Sequence, residues 1–211
     1  MKRLLLDTNI YGLLFTDADF HNLHTLLGSK KEELMIYGYD VIRKELKNAP
    51  SKIIEKVNVR ASLLRAYFSF TSKEYVLEET YLEIAEDYYQ QYLIAGGSLS
   101  KEKLWNDFLI VACASVKEIN IVVSEDNATL ASEIAKIAYK SVNFKRKIRI
   151  PDFIGYEKFK SLLRGTSLSN PIINSSNKFG ILLGFFNVLP FVFVFHLSLK
   201  ENLIYKRFVL K

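Results

Sequence analysis

Short runs of apolar residues alternate with longer helical patterns through most of the chain, and this alternation restricts the possible folds more than any other feature. The runs lie at residues 4–6, 34–37 and 119–124, and apolar side chains recur at three- and four-residue steps between them. Because each run is too short for a buried helix, we expect three buried strands. Strands that alternate with helices predict a three-layer α/β/α fold, in which helices cover both faces of a mainly parallel sheet.

The segments between these strands are expected to be mostly helical. A fourth strand is predicted at residues 145–150, where basic residues partly alternate with isoleucine, because an exposed sheet edge tolerates lysine well. The helical patterns cover residues 11–27, with a break near Thr16-Asp17, and then 40–48, 53–68, 74–94, 101–117, 128–139 and 156–164.

Four acidic residues occupy positions that should meet at one edge of this sheet. Asp7 directly follows the first strand and Asp126 follows the third, while Glu45 and Asp107 lie in early turns of helices. In parallel α/β folds, the carboxyl ends of strands and the amino ends of the following helices share the edge at which ligands bind. We therefore expect the four carboxylates to converge. The alternatives are that Asp7 is only a turn or helix-cap residue, and that the four are unrelated surface acids among 23.

Converging carboxylates repel one another, and a divalent cation relieves that repulsion. Two like charges roughly 4 Å apart cost about 4 kcal/mol at an effective dielectric constant near 20. A donor set made only of oxygen atoms predicts Mg²⁺ or Mn²⁺. Such ions polarise a phosphoryl oxygen and activate water, which is the chemistry of phosphodiester hydrolysis. Thr8 and Asn9, which follow Asp7, are suited to capping the next helix and to hydrogen-bonding the carboxylate.

The segments around these acids resemble the PIN-domain nucleases over roughly residues 1–164. The resemblance implies a metal-dependent ribonuclease that hydrolyses RNA. Its catalytic and metal-binding residues would be Asp7, Glu45, Asp107 and Asp126, supported by Asn9 and Ser124. The matching pieces are Leu4-Leu5-Leu6-Asp7-Thr8-Asn9, Val41-Ile42-Arg43-Lys44-Glu45-Leu46, residues 106–114, and Ile121-Val122-Val123-Ser124-Glu125-Asp126-Asn127.

The resemblance also carries expectations about partners. Many members of the family are toxins of toxin–antitoxin pairs, and others process RNA. It therefore implies RNA as the substrate, a small antitoxin protein as a partner of a toxin, and a homodimer. Two long helical patterns between Glu45 and Asp107 make this chain larger than the minimal toxins, so both a toxin and a processing nuclease stay open.

A non-catalytic RNA-binding scaffold of the same fold is the alternative function. The chain carries a net charge of +6, and its predicted edge strand contains a basic run, with Lys136 and Lys140 nearby. This run would bind RNA phosphates in either function, and a solvated basic edge with no ligand is equally compatible with it. Its basic residues are Lys145, Arg146, Lys147 and Arg149.

The last part of the chain does not fit the nuclease pattern. We predict a nuclease domain at residues 1–164, a polar linker at 165–178, and a hydrophobic and basic tail at 179–211. Residues 179–199 contain no Asp, Glu, Lys or Arg and are long enough to cross a membrane. A packed hairpin, an oligomer contact or a non-native extension of the reading frame are the competing roles, and we favour these over membrane contact. Without a signal-peptide pattern, we expect a cytoplasmic protein.

Overall fold

The structure is a computed structural model, and it describes residues 1–51, 53–54 and 57–165. The predictions for the linker beyond residue 165 and for the hydrophobic tail at 179–211 lie outside the described residues. Within those ranges, no helix combines the length and the apolar character needed to cross a bilayer.

Strands and helices alternate along the described chain, as the sequence predicts. The strands are β1 (Lys2–Leu6), β2 (Leu34–Tyr39), β3 (Ile53–Ile54), β4 (Val57–Asn58), β5 (Lys73–Tyr75), β6 (Ile121–Val123) and β7 (Asp152–Ile154). The helices are α1 (Thr8–Thr16), α2 (Phe20–Ser29), α3 (Asp40–Asn48), α4 (Val59–Phe70), α5 (Glu79–Ile94), α6 (Lys101–Val116), α7 (Glu133–Arg146) and α8 (Tyr156–Arg164).

A five-stranded sheet in the order β5-β2-β1-β6-β7 forms the centre of the fold. All four of its strand pairings are parallel, and β1 pairs with both β2 and β6. The chain therefore moves outward from β1 through β2 to β5, and then returns to the other side of β1 with β6. This reversal creates a topological switch point between β1 and β6, where open α/β sheets bind their ligands. The predicted α/β fold with a parallel sheet is confirmed.

Two layers of helices cover the sheet. Helix α5 packs on α6 and α7, while α4 packs on α1 and α3, and α2 packs on α8. Because parallel crossovers are right-handed, the reversal at β1 sends the two groups of helices to opposite faces. Leu4, Leu5 and Leu6 of the central strand are completely buried between them. A strand covered on both faces has this continuous apolar sequence, which is why the first run was recognisable.

The prediction of a strand at residues 145–150 is wrong. Helix α7 continues through Arg146 and ends at Lys147, which has the left-handed conformation with φ 56°. The amide of Ile148 then donates to the carbonyl of Asn143 at 3.1 Å, which closes the helix end. Basic residues in the last turn of a helix interact favourably with its dipole, so this composition suits a helix end as well as an exposed strand. The edge strand is β7, after Pro151.

The predicted break near Thr16-Asp17 separates α1 from α2. Three other helical predictions differ from the structure. The segment 128–139 becomes helical only at Glu133, and this helix, α7, continues to Arg146. In the segment 53–68, α4 begins only at Val59, where the side chain of Asn58 accepts from the amide of Ala61 and caps the helix. The segment 74–94 starts in strand β5 and becomes helical at Glu79, since pairing with β2 imposes the strand.

Candidate active site

Asp7 lies at the switch point, at the carboxyl end of β1. Its amide donates to the carbonyl of Val123 at 2.9 Å, so it continues the pairing between β1 and β6 by one residue. Its Oδ1 accepts from the amide of Thr8 at 2.6 Å and caps α1. Asp7 therefore does cap a helix, as the alternative reading of the sequence held. The carboxylate is nevertheless buried, with 5% of the residue exposed, which is unusual for a simple cap.

The second oxygen of Asp7 joins the segments that follow β1 and β6. Oδ2 accepts from Asn9 Nδ2 at 2.6 Å and from Ser124 Oγ at 2.7 Å. Asn9 Nδ2 also lies 3.2 Å from Ser124 Oγ. These are the contacts that a supporting role for Asn9 and Ser124 requires.

Asp126 organises the loop after β6. Its Oδ1 accepts from the amides of Ala128 and Thr129 at 2.9 and 2.8 Å, and its Oδ2 accepts from Thr129 Oγ1 at 2.5 Å. The amide of Asp126 in turn donates to Ser124 Oγ at 3.0 Å. An aspartate that folds its own loop in this way holds its carboxylate in one orientation.

Glu45 reaches the site from α3 and is held by residues of two other helices. Its Oε1 accepts from Asn106 Nδ2 of α6 at 2.5 Å. Its Oε2 accepts from the hydroxyl of Thr8, at the start of α1. Because Thr8 follows Asp7 and Asn106 precedes Asp107 in the sequence, these bonds bring Glu45 between two of the other predicted acids.

The pKa values of Asp7 and Asp107 indicate that each of these two carboxylates lies within electrostatic reach of the other three acids. Burial raises the pKa of Asp7 from an ordinary 3.8 to about 7, with the charges of Glu45 and Asp126 adding to the increase and the Ser124 hydroxyl opposing it. Burial also raises the pKa of Asp107 well above its usual range, and the charges of Asp7, Asp126 and Glu45 act in the same direction.

The chemistry of these donors fits a hard divalent cation, but their present orientation does not surround one. Every predicted ligand is a carboxylate oxygen, which is the donor type that Mg²⁺ and Mn²⁺ prefer. In the described part of the chain, however, no three His, Cys, Asp or Glu side chains are grouped so that they could hold a metal ion. Asp7, Glu45 and Asp126 each accept a protein hydrogen bond on both oxygens instead.

The predicted phosphate-binding residues are not brought to this edge. Because α7 connects two parallel strands, its last turn lies at the amino edge of the sheet, opposite the carboxylates. The carbonyl of Arg149 lies near the same end of α7, where it accepts from Asn143 Nδ2 at 2.8 Å. Arg146 is also engaged in an ion pair with Asp87 at 2.6 Å. RNA binding by Lys145, Arg146, Lys147 and Arg149 stays a prediction, separate from the acidic edge.

Sequence reasoning missed two residues that orient the acids. Thr129 donates its hydroxyl to Asp126, and the same hydroxyl opposes the increase in the pKa of Asp107. Its position three residues after Asp126 is a capping spacing that could have revealed it. Asn106 carries no such signal, because its partner Glu45 is 61 residues away in the sequence.

Comparison with known proteins gives a distant likeness among solved structures. No protein-family model matches the chain, and no curated protein matches it. Among solved structures, it is similar to a chain in the crystal structure of VapBC2 from Rickettsia felis bound to a DNA fragment from their promoter. The two chains are 17% identical, the match covers 72% of this chain and 98% of the other, and the TM-score is 0.48. At this level the likeness identifies no function for the chain.

Proposed function

We propose that the chain is a PIN-like ribonuclease that uses Mg²⁺ or Mn²⁺ to hydrolyse RNA phosphodiester bonds. The observation that carries this proposal is the shared electrostatic field of Asp7, Glu45, Asp107 and Asp126 at the switch point. A buried carboxylate that faces two like charges is unfavourable in the absence of a cation, and its pKa near 7 reflects this. Unrelated surface acids would not add to the pKa values of Asp7 and Asp107 in this way.

Each side chain then has a role that follows from its contacts. Asp7, Asp107 and Asp126 would hold the ion, and Glu45 would orient water or contact a second ion. When bound, the ion polarises a phosphoryl oxygen and lowers the pKa of water. Asn9 and Ser124 keep Asp7 in a fixed rotamer through the hydrogen bonds to Oδ2. Ion binding requires some carboxylate oxygens to exchange their protein donors for the cation.

A cleavage assay with and without Mn²⁺ tests the proposal. The parent should cleave mixed RNA only when the ion is present, and Asp7→Asn should abolish cleavage while the protein stays folded. Asp152→Asn is a matched control, because Asp152 is an exposed aspartate at the start of β7, on the opposite edge of the sheet. Metal-dependent cleavage at the parent rate in Asp7→Asn would refute the assignment, as would an inactive parent.

A non-catalytic RNA-binding scaffold is the second candidate, and one observation favours it. The oxygens of Asp7, Glu45 and Asp126 are engaged by protein donors, as they would be in a purely structural network. A scaffold would bind RNA through basic residues such as Lys145 and Lys147, with an affinity that falls steeply as salt increases. Salt-dependent binding without Mn²⁺-dependent cleavage would favour this candidate.

The family resemblance further supports proposals about partners. The chain would act in the cytoplasm as a homodimer, either as the toxin partner of a small antitoxin or as an RNA-processing nuclease. A short open reading frame immediately upstream of the gene would support the toxin, and a gene without such a neighbour would favour the processing enzyme. Light scattering on the purified chain tests the dimer.

A further inference from the structure

We infer that Asn106 is a positioning residue that holds the Glu45 carboxylate in the orientation in which it binds the attacking water. This inference rests on the proposed function. It concerns the hydrogen bonds that join α3 to α6 and α1, and it assigns a role to a side chain that the acidic quartet does not include.

The contacts of Glu45 come from both sides of its carboxylate. Asn106 Nδ2 donates to Oε1 at 2.5 Å, and the Thr8 hydroxyl donates to Oε2. Neither donor belongs to α3, so the orientation of Glu45 depends on how the other two helices pack. Hydrogen bonds to an ionised acceptor are stronger than neutral ones, and two on separate oxygens fix the plane of the carboxylate.

Asn106 does not contribute to the core, and its described side-chain contact is the hydrogen bond to Glu45. It lies in the second turn of α6 and is exposed to solvent, whereas its neighbours Leu104 and Phe108 are completely buried. Asparagine is also a poor residue for a helix interior, because its side chain competes for backbone hydrogen bonds. The exposed side chain of Asn106 donates to a carboxylate of another helix, so we assign it the role of orienting that carboxylate.

The remaining capacity of Glu45 suits water. An ionised carboxylate has about four acceptor sites, and the described donors use one on each oxygen. The carboxylate can therefore accept a hydrogen bond from water while it keeps both donors. Asp7 and Asp107 are the chain neighbours of Thr8 and Asn106, so this water would lie beside the residues that hold the ion.

The experiment measures RNA cleavage and Mn²⁺ binding separately. Asn106→Ala removes the donor, and Asn106→Asp also opposes Glu45 with a like charge. Loss of a residue that orients a reacting group costs about 10- to 100-fold in activity. We expect kcat to fall by that factor in Asn106→Ala and by at least as much in Asn106→Asp, with KM for a short RNA within about twofold of the parent. Asn22→Ala, an exposed asparagine on α2, should keep the parent rate.

Mn²⁺ affinity, measured by electron paramagnetic resonance without RNA, is the second readout. Asn106→Ala should bind Mn²⁺ as the parent does, and Asp7→Asn should bind it weakly. A parent-like kcat in Asn106→Ala, or weakened Mn²⁺ binding in that variant, would overturn the inference. So would a further loss when Asn106→Ala is added to Glu45→Gln, because a residue that acts through Glu45 has no effect once that carboxylate is gone. If the parent itself cleaved no RNA, the proposed function would fail instead.

Discussion

Replacing Asp7 with Asn should change how the free energy of unfolding depends on pH. The pKa of Asp7 is about 7 in the folded chain, against an ordinary value of 3.8. Between these two values the folded state binds more protons than the unfolded state, so stability falls as the pH rises. A difference of about 3 pKa units corresponds to about 4 kcal/mol of folding stability. This contribution is fully present below pH 4 and is lost by pH 8. The Asp7→Asn variant has no titratable group at this position, so its stability lacks this dependence on pH.

The size of the effect at each end of the pH range follows from the contacts of Asp7. An asparagine amide facing Asn9 and Ser124 loses an acceptor, which costs about 1 to 3 kcal/mol at every pH. Asp7→Asn should therefore be less stable than the parent near pH 4.5 and more stable, by about 1 to 3 kcal/mol, near pH 8. The two stability curves should cross.

Urea denaturation of the metal-free proteins between pH 4.5 and 8 measures both curves. The difference between the parent and the variant reports the titration of Asp7 together with the part of the Asp107 titration that the charge of Asp7 perturbs. Asp152→Asn, at the opposite edge of the sheet, should follow the parent curve. Parallel curves for the parent and Asp7→Asn would refute the reasoning, since Asp7 would then titrate alike in the folded and unfolded states.

Three further predictions concern metal, site and core. At pH 8, Mn²⁺ at a hundredfold excess over its dissociation constant should stabilise the parent by about 2.7 kcal/mol, raising Tm by roughly 5 to 10 °C, and should raise it less in Asp126→Asn. Thr129→Val removes the hydroxyl donated to Asp126 and should lower the unfolding free energy by about 1 to 3 kcal/mol in urea. Gly38→Ala would bring a Cβ to 2.2 Å from the Tyr67 hydroxyl and should cost about 1 to 3 kcal/mol in a thermal melt. Gly28→Ala, with no atom within 4 Å of its Cβ, should cost nothing.

The central sheet could be predicted because burial leaves a signature in the sequence. The leucines of β1 and the β-branched residues of β6 are covered on both faces, so their strands read as continuous apolar runs. Strand β5, with the sequence Lys-Glu-Tyr, carries no such pattern and is a strand because it pairs with β2. Lys147 ends α7 in a left-handed conformation, which cannot be predicted from a lysine because this residue type rarely adopts it.

The residues of the candidate site also divide into those that the sequence predicts and those that it does not. Asp7 and Asp126 were identifiable because a carboxylate in the first few residues after a parallel strand lies at the carboxyl edge of the sheet, whatever the details of packing. The partners of Glu45 and Asp107 were not, because they depend on the packing of α3 against α6 and on the conformation of the loop at Thr129. Local sequence does not encode contacts between elements that meet only in the folded chain.

The pairing of β1 with β6 makes the site a late product of the growing chain. Asp7 accepts a hydrogen bond from the hydroxyl of Ser124, which is 117 residues away in the sequence. The two residues become neighbours only when β6 pairs with β1. During synthesis from the amino end, Asp7 is made long before Ser124, so this hydrogen bond cannot form until the segment after β6 has followed. A nascent or truncated chain that ends before residue 121 therefore carries Asp7, Glu45 and Asp107 but lacks Asp126 and β6, so it has no switch point. The chemistry of this edge therefore requires that β1 has paired with both β2 and β6.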